Sequence, residues 1–129
     1  MKTRVEIRVL GRPELAHSAD AVRAGGLVFV AGILPVNADG DLVGGEDVVE
    51  QARFVFDELG SILAAAGAEF ADVVKVTIFL LDVDHRPLIN PVRQAIFGET
   101  RPASTLVEVS GLAVPGALVE VDAVAARSS

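Results

Sequence analysis

Residues 101–121 decide the fold: Arg101-Pro102-Ala103-Ser104-Thr105-Leu106-Val107-Glu108-Val109-Ser110-Gly111-Leu112, then Ala113-Val114-Pro115-Gly116, then Ala117-Leu118-Val119-Glu120-Val121. Two β-rich runs flank a Pro-Gly turn, because β-branched and apolar residues fit a pleated surface and Pro-Gly does not. The second run places a carboxylate, Glu120, between apolar neighbours. With period-2 alternation, Leu118, Glu120 and Asp122 point the same way, and residues two apart on a strand sit about 6.5–7 Å apart. Two carboxylates sharing one face repel each other, which raises a pKa and makes the acid a usable proton carrier.

Working outward, Val73-Val74-Lys75-Val76-Thr77-Ile78-Phe79-Leu80-Leu81 is a nearly continuous apolar run, as expected of a central strand. Val5 to Leu10 alternates, with Val5, Ile7 and Val9 on one face, and Gly11-Arg12-Pro13 ends it. Ala21-Val22-Arg23 and Leu27 to Gly32 flank Gly25-Gly26, a hairpin signal. From Glu46 the period changes. Val48, Ala52, Val55, Leu59, Ile62, Leu63 and Ala66 recur at helical spacing over about five turns, and Gly67 is the stop. Asp84 is a candidate cap for a second helix reaching Phe97, with Pro91 expected to break or delay it. Arg127-Ser128-Ser129 reads as a frayed tail. The element order β-β-β-α-β-α-β-β predicts an α+β single domain over residues 1–129. Its mixed sheet carries both helices on one face, and a second copy of the chain covers the other.

Composition narrows the function. The chain has 129 residues, 51% hydrophobic, and a net charge of −7. So much apolar surface in a small domain points to a subunit interface. The negative charge argues against nucleic acid as a partner, since phosphates demand Lys and Arg. No apolar run approaches the length of a membrane span and no signal-peptide core follows Met1-Lys2-Thr3-Arg4, so no membrane partner and a cytoplasmic location are expected. There are no cysteines and two histidines, His17 and His85, without the spacing of a metal site. The glycine pairs lack the strand-loop-helix context of a phosphate loop. No cofactor or metal is expected.

Several segments together resemble the RidA (YjgF, L-PSP) family. Pro102-Ala103-Ser104-Thr105, Val107-Glu108-Val109, Leu112 and Val119-Glu120-Val121 resemble its C-terminal signature. Ala24 to Gly32 is similar to its Ala-Gly-x-Leu-Val-Phe-Val-Ser-Gly strand. Ala64-Ala65-Ala66-Gly67 with Asp72 to Leu80 is similar to its helix end and next strand, and Asn90 matches an Asn of its second helix. The resemblance implies a chorismate-mutase-like fold, a homotrimer, and small-molecule clefts between subunits where reactive imines or enamines are hydrolysed. It points to Glu120 as the catalytic residue, and to Gly32, Ser104, Asn90, Ser18 and Ile33 as substrate-binding positions.

The chain departs from that pattern at defined places. The family's deaminases hold the substrate carboxylate with an arginine where Ser104 stands. A guanidinium grips a carboxylate with two N–H donors; a hydroxyl offers one donor and no charge. The family's upstream tyrosine aligns with Ser18, and its Ser-Gly-Gln with Ala31-Gly32-Ile33. Arg101, Arg93 and Arg23 are the cations that could stand in, although Arg93 by itself reads as a solvated helix charge. Three functions follow: an imine or enamine deaminase with altered substrate preference, a non-catalytic module that binds or senses a small ligand, and, against the charge, an endoribonuclease.

Overall fold

A computed structural model describes residues 4–127. The strands are β1 (Arg4–Ile7), β2 (Ala21–Ala24), β3 (Leu27–Ile33), β4 (Val73–Leu80), β5 (Ala103–Glu108) and β6 (Val119–Ala126); the helices are α1 (Val48–Ala65) and α2 (Arg86–Phe97). The six strands form one sheet in the order β1-β2-β3-β6-β4-β5. All neighbours are antiparallel except β4 and β5, which run parallel around the α2 crossover. The two β-rich runs of the C-terminal segment are therefore not partners of each other: β4 lies between them. β6 is central and runs to Ala126, beyond the apolar core of its sequence signal.

α1 packs on β3 and β6, and α2 packs on α1. α1 buries Val48, Gln51, Ala52, Val55, Phe56, Leu59, Ile62 and Leu63, one stripe at helical spacing. Each fully buried large apolar side chain contributes about 2 kcal/mol. Asp47 caps the first turn, its carboxylate accepting from the amides of Val49 and Glu50, and Gly67 follows the last turn at φ +81°. From β4 and β6, Val76, Ile78, Leu80, Val119, Val121, Ala123 and Ala125 meet that stripe from below.

Three expectations need correction. β1 ends at Ile7 and not at Leu10: the Val9 amide leaves the ladder to bond the Asp20 carboxylate at 2.7 Å, and Asp20 N–H donates to the Ile7 carbonyl. α2 is continuous through Pro91. The amide that proline lacks would have reached only the Pro87 carbonyl in the first turn. That loss sits on the solvent side, while Ile89, Val92 and Phe97 are buried. Phe97 stands edge-on to Phe56 and Phe70, with ring centroids 6.0 and 5.9 Å away. Asp84 caps nothing; Asp82 accepts from the Asp84 amide in a short 3-10 turn before α2. Of the tail, the Arg127 amide bonds the Gly26 carbonyl at 2.8 Å, and Ser128 and Ser129 lie outside the described residues.

The alternation that buries one sheet face leaves the other open. Leu27, Phe29 and Val107 are exposed on it, and Thr77, Phe79, Glu120, Asp122 and Val124 are half-buried.

Candidate functional site

Glu120 sits on β6 directly across from Phe79 of β4, with Asp122 across from Thr77. Both acids belong to the open face, as period-2 reading requires. The Glu120 carboxyl is pushed above its ordinary value, first by burial and second by the charge of Asp122.

Its position is set by Gly32. A bulge lies between Val30 and Ile33, where β3 spans three steps against two on β6. This brings residue 32 against the Glu120 side chain: a β-carbon there would overlap Oε2 and stand 3.0 Å from Cδ. Gly32 is thus required by space and not by a left-handed backbone. Ile33, the next residue, is fully buried in the core, so only its backbone is available to a ligand. Ser18 and His17 line a neighbouring cavity of about 330 Å³ with Phe29 and Ala31. The loop that carries them is clamped by Arg12, which bonds Asp20 at 3.0 Å and Glu58 of α1 at 2.6 Å.

Ser104 belongs to a second group. On β5 it lies beside Val76, a residue of the helix-covered face, at the edge of the sheet. Arg93 of α2 donates to Ser104 Oγ through Nη2 at 2.6 Å and to Asn90 Oδ1 through Nη1 at 3.3 Å. Asn90, Arg93, Phe97, Arg101 and Pro102 line a cavity of about 760 Å³, with Glu99 as its one acid. Burial first, and then the charge of Arg86, pull the Arg93 guanidinium below its ordinary value. Of the three arginines singled out from sequence, Arg93 reaches Ser104, Arg101 shares its cavity, and Arg23 turns away to the Ala66 carbonyl at 3.4 Å. The Arg93–Ser104 pairing was not legible as a motif; the only local signal was the i, i+3 spacing of Asn90 and Arg93 on one helix face.

The candidate residues therefore form two groups. Glu120 and Gly32 face the open side of the sheet, and Ser18 lies in the loop before β2, in a cavity with Phe29 and Ala31 of β3; Ser104, Asn90 and Arg93 face the helix side at the β5 edge. β4 separates them in one chain.

The sequence model described as endoribonuclease L-PSP matches residues 11–127. The chain is similar to a 3-aminoacrylate deaminase RutC of Acinetobacter baylyi, 41% identical over 88% of this chain and 89% of that protein. It is also similar to a 2-iminobutanoate/2-iminopropanoate deaminase of the goat, Capra hircus, 34% identical over 84% of this chain and 79% of the relative. Among solved structures it superposes on E. coli TdcF with bound serine at a TM-score of 0.86, 29% identical, over 96% of this chain and 99% of that one. On sequence and fold together, the chain belongs to the RidA/YjgF/L-PSP family.

Proposed function

We propose that the chain hydrolyses small reactive imines or enamines bearing a carboxylate, in a cleft formed between copies of itself. The observation that carries this reading is Glu120, a half-buried acid with a raised pKa held against the backbone of Gly32. An enamine first takes a proton on carbon and gives one up from nitrogen to become the imine. Water then adds to the imine carbon, its proton passing through Glu120 to the nitrogen. The proton of the new hydroxyl then passes by way of the same carboxyl to that nitrogen, and the C–N bond breaks, releasing ammonia and leaving a carbonyl. One carboxyl that both accepts and donates suffices, and it works best with a pKa lifted toward the working pH.

The names of the bacterial and goat relatives, both deaminases of small carboxylate-bearing compounds, support the substrate class. The two-group arrangement supports the cleft. Strands lie about 4.8 Å apart, so β6 and β5 are roughly 10 Å apart, and their site residues face opposite sides. Packing the open face of one copy against the β5 edge of another brings Glu120 and Arg93 to one ligand and covers Phe29 and Val107. Three copies arranged in a ring satisfy every such contact, which is the homotrimer the resemblance implies.

The test is ammonia release from 2-iminopropanoate generated enzymatically in the assay. The wild-type chain is expected to exceed the spontaneous rate, and a folded Glu120→Gln variant to fall back to it, a loss of about 10² or more. A folded wild-type chain that never exceeds buffer sinks the deaminase reading. A second reading, a module that binds a ligand without turnover, is favoured by Ser104 in place of the strand arginine. Thermal stabilisation by amino acids or keto acids that are never consumed is its signature. RNA cleavage is the weakest reading, because a net charge of −7 opposes binding to phosphates.

A further inference from the structure

Arg93 is a cation held by neutral atoms. Among the described residues, Arg4, Arg12 and Arg53 pair with carboxylates, whereas no carboxylate lies within ion-pair distance of Arg93. Its two hydrogen bonds go to a hydroxyl and an amide oxygen, from Nη2 to Ser104 and from Nη1 to Asn90. Neither partner cancels the charge, and Arg86 adds repulsion. What the bonds do is orient the guanidinium plane. Each terminal nitrogen keeps a second N–H, so the fork still offers the paired donors that match a carboxylate. The fork lines the cavity of about 760 Å³, whose apolar walls are Phe97 and Pro102 and whose second cation is Arg101.

We propose that Arg93 is the carboxylate-binding residue of this protein, supplying from helix α2 the charge that strand β5 lacks at Ser104, with Ser104 and Asn90 as the posts that aim it. The ligand is a small organic acid with one free carboxylate and a short apolar body. That it is an imino or amino acid rests on the deaminase reading; that it is a carboxylate rests on the fork and its unpaired charge. Ser104 is then not a lost contact. An arginine at 104 would put a second guanidinium where Arg93 now reaches, and the small hydroxyl gives the helix arginine both room and an acceptor.

Binding is read with pyruvate and its neutral amide, pyruvamide, by titration calorimetry, independently of turnover. Wild type is expected to bind pyruvate and discriminate strongly against pyruvamide. Arg93→Met is expected to bind pyruvate about 10- to 100-fold more weakly, the size of a lost charged hydrogen-bonded pair, and to lose the discrimination. Arg93→Lys restores the charge without the fork and recovers part of the affinity. The double variant Arg93→Met with Ser104→Arg moves the cation to the strand and recovers most of it. Pyruvate binding to folded Arg93→Met within about twofold of wild type overturns the proposal, as does a wild type that does not prefer pyruvate to pyruvamide. A wild type without deaminase activity whose pyruvate binding depends on Arg93 sinks the enzymatic reading and leaves this one standing. An active wild type matched by Arg93→Met does the reverse.

Discussion

Gly32 and Glu120 occupy space that only one of them can fill: the carboxylate of the second lies where a side chain of the first would begin. Gly32→Ala is therefore expected to move Glu120 without touching the core, since residue 32 is exposed and its φ is ordinary. The proposed deaminase rate should fall about 10²-fold, the scale of a reacting group misplaced by about 1 Å. The thermal midpoint should stay within a few degrees of wild type. Ammonia release and circular dichroism on the same preparation check both halves.

Glu120 also sets a pH dependence of stability. Its folded pKa is raised above the ordinary 4.5 by burial and by Asp122. Well below pH 4.5 the carboxyl is protonated in both folded and unfolded chains, so it costs nothing. As pH rises through 4.5 the unfolded chain ionises first, and stability falls until the folded carboxyl ionises as well. Glu120→Gln should match wild type near pH 4 and exceed it at pH 7, by no more than about 1 kcal/mol because the group is partly solvated. Urea midpoints at the two pH values measure the sign; a variant less stable at pH 7 would contradict the raised pKa.

Arg12 joins the 8–20 loop to α1 through two carboxylates, with side chains 10%, 12% and 22% exposed for Arg12, Asp20 and Glu58. Arg12→Met leaves two acids nearly buried and uncompensated, and should cost about 3 kcal/mol. Arg53→Ala removes only the exposed pair with Glu50 and should cost under about 0.5 kcal/mol. Chemical denaturation of the two variants side by side tests that contrast.

Gln51 is the one buried polar side chain of the described core. It donates to the carbonyls of Gly45 and Gly116 and accepts from the Leu118 amide at 2.7 Å. It thereby ties the start of α1 to the approach of β6, two residues before Glu120. Gln51→Leu keeps the volume and orphans three backbone groups, a loss of about 3 kcal/mol at the lower end of the cost per group. The variant should also lower kcat, because the lead-in to β6 loses its anchor.

Phe29 stands 45% exposed on the open face. Phe29→Glu should dissociate the proposed three-chain assembly while leaving each chain folded, and abolish turnover with it. Light scattering behind size-exclusion chromatography reads the mass; a variant that stays assembled places the interface elsewhere.

Much of the fold was written in local signals. Gly25-Gly26 marks the hairpin, Gly67 the end of α1, and the nearly continuous apolar run from Val73 a strand flanked on both sides. The continuity of α2 through Pro91 does not show in the sequence because the cost of one missing amide is local, whereas the burial of Ile89, Val92 and Phe97 that outweighs it depends on α1, Phe56 and Phe70 far along the chain. The pairing of Glu120 with Asp122 on one face follows from strand period alone. The division of the site did not show in the sequence: which face Ser104 takes is set by its parallel register with β4, and Arg93 meets it only once the crossover has folded.

The bulge in β3 has a consequence for how such a protein changes over time. Between Val30 and Ile33 the β3–β6 ladder skips its regular pairing, and β2 has already stopped at the partner of Val30. The Ala31 amide still bonds the Asp20 carbonyl, so it is Gly32, against Glu120, that belongs to the site more than to the sheet. Mutations at Gly32 are expected to alter what the proposed cleft accepts while the register on either side stays fixed by Val30 and Ile33. The fold thus has, at this interruption, a place where drift in sequence is uncoupled from loss of the fold.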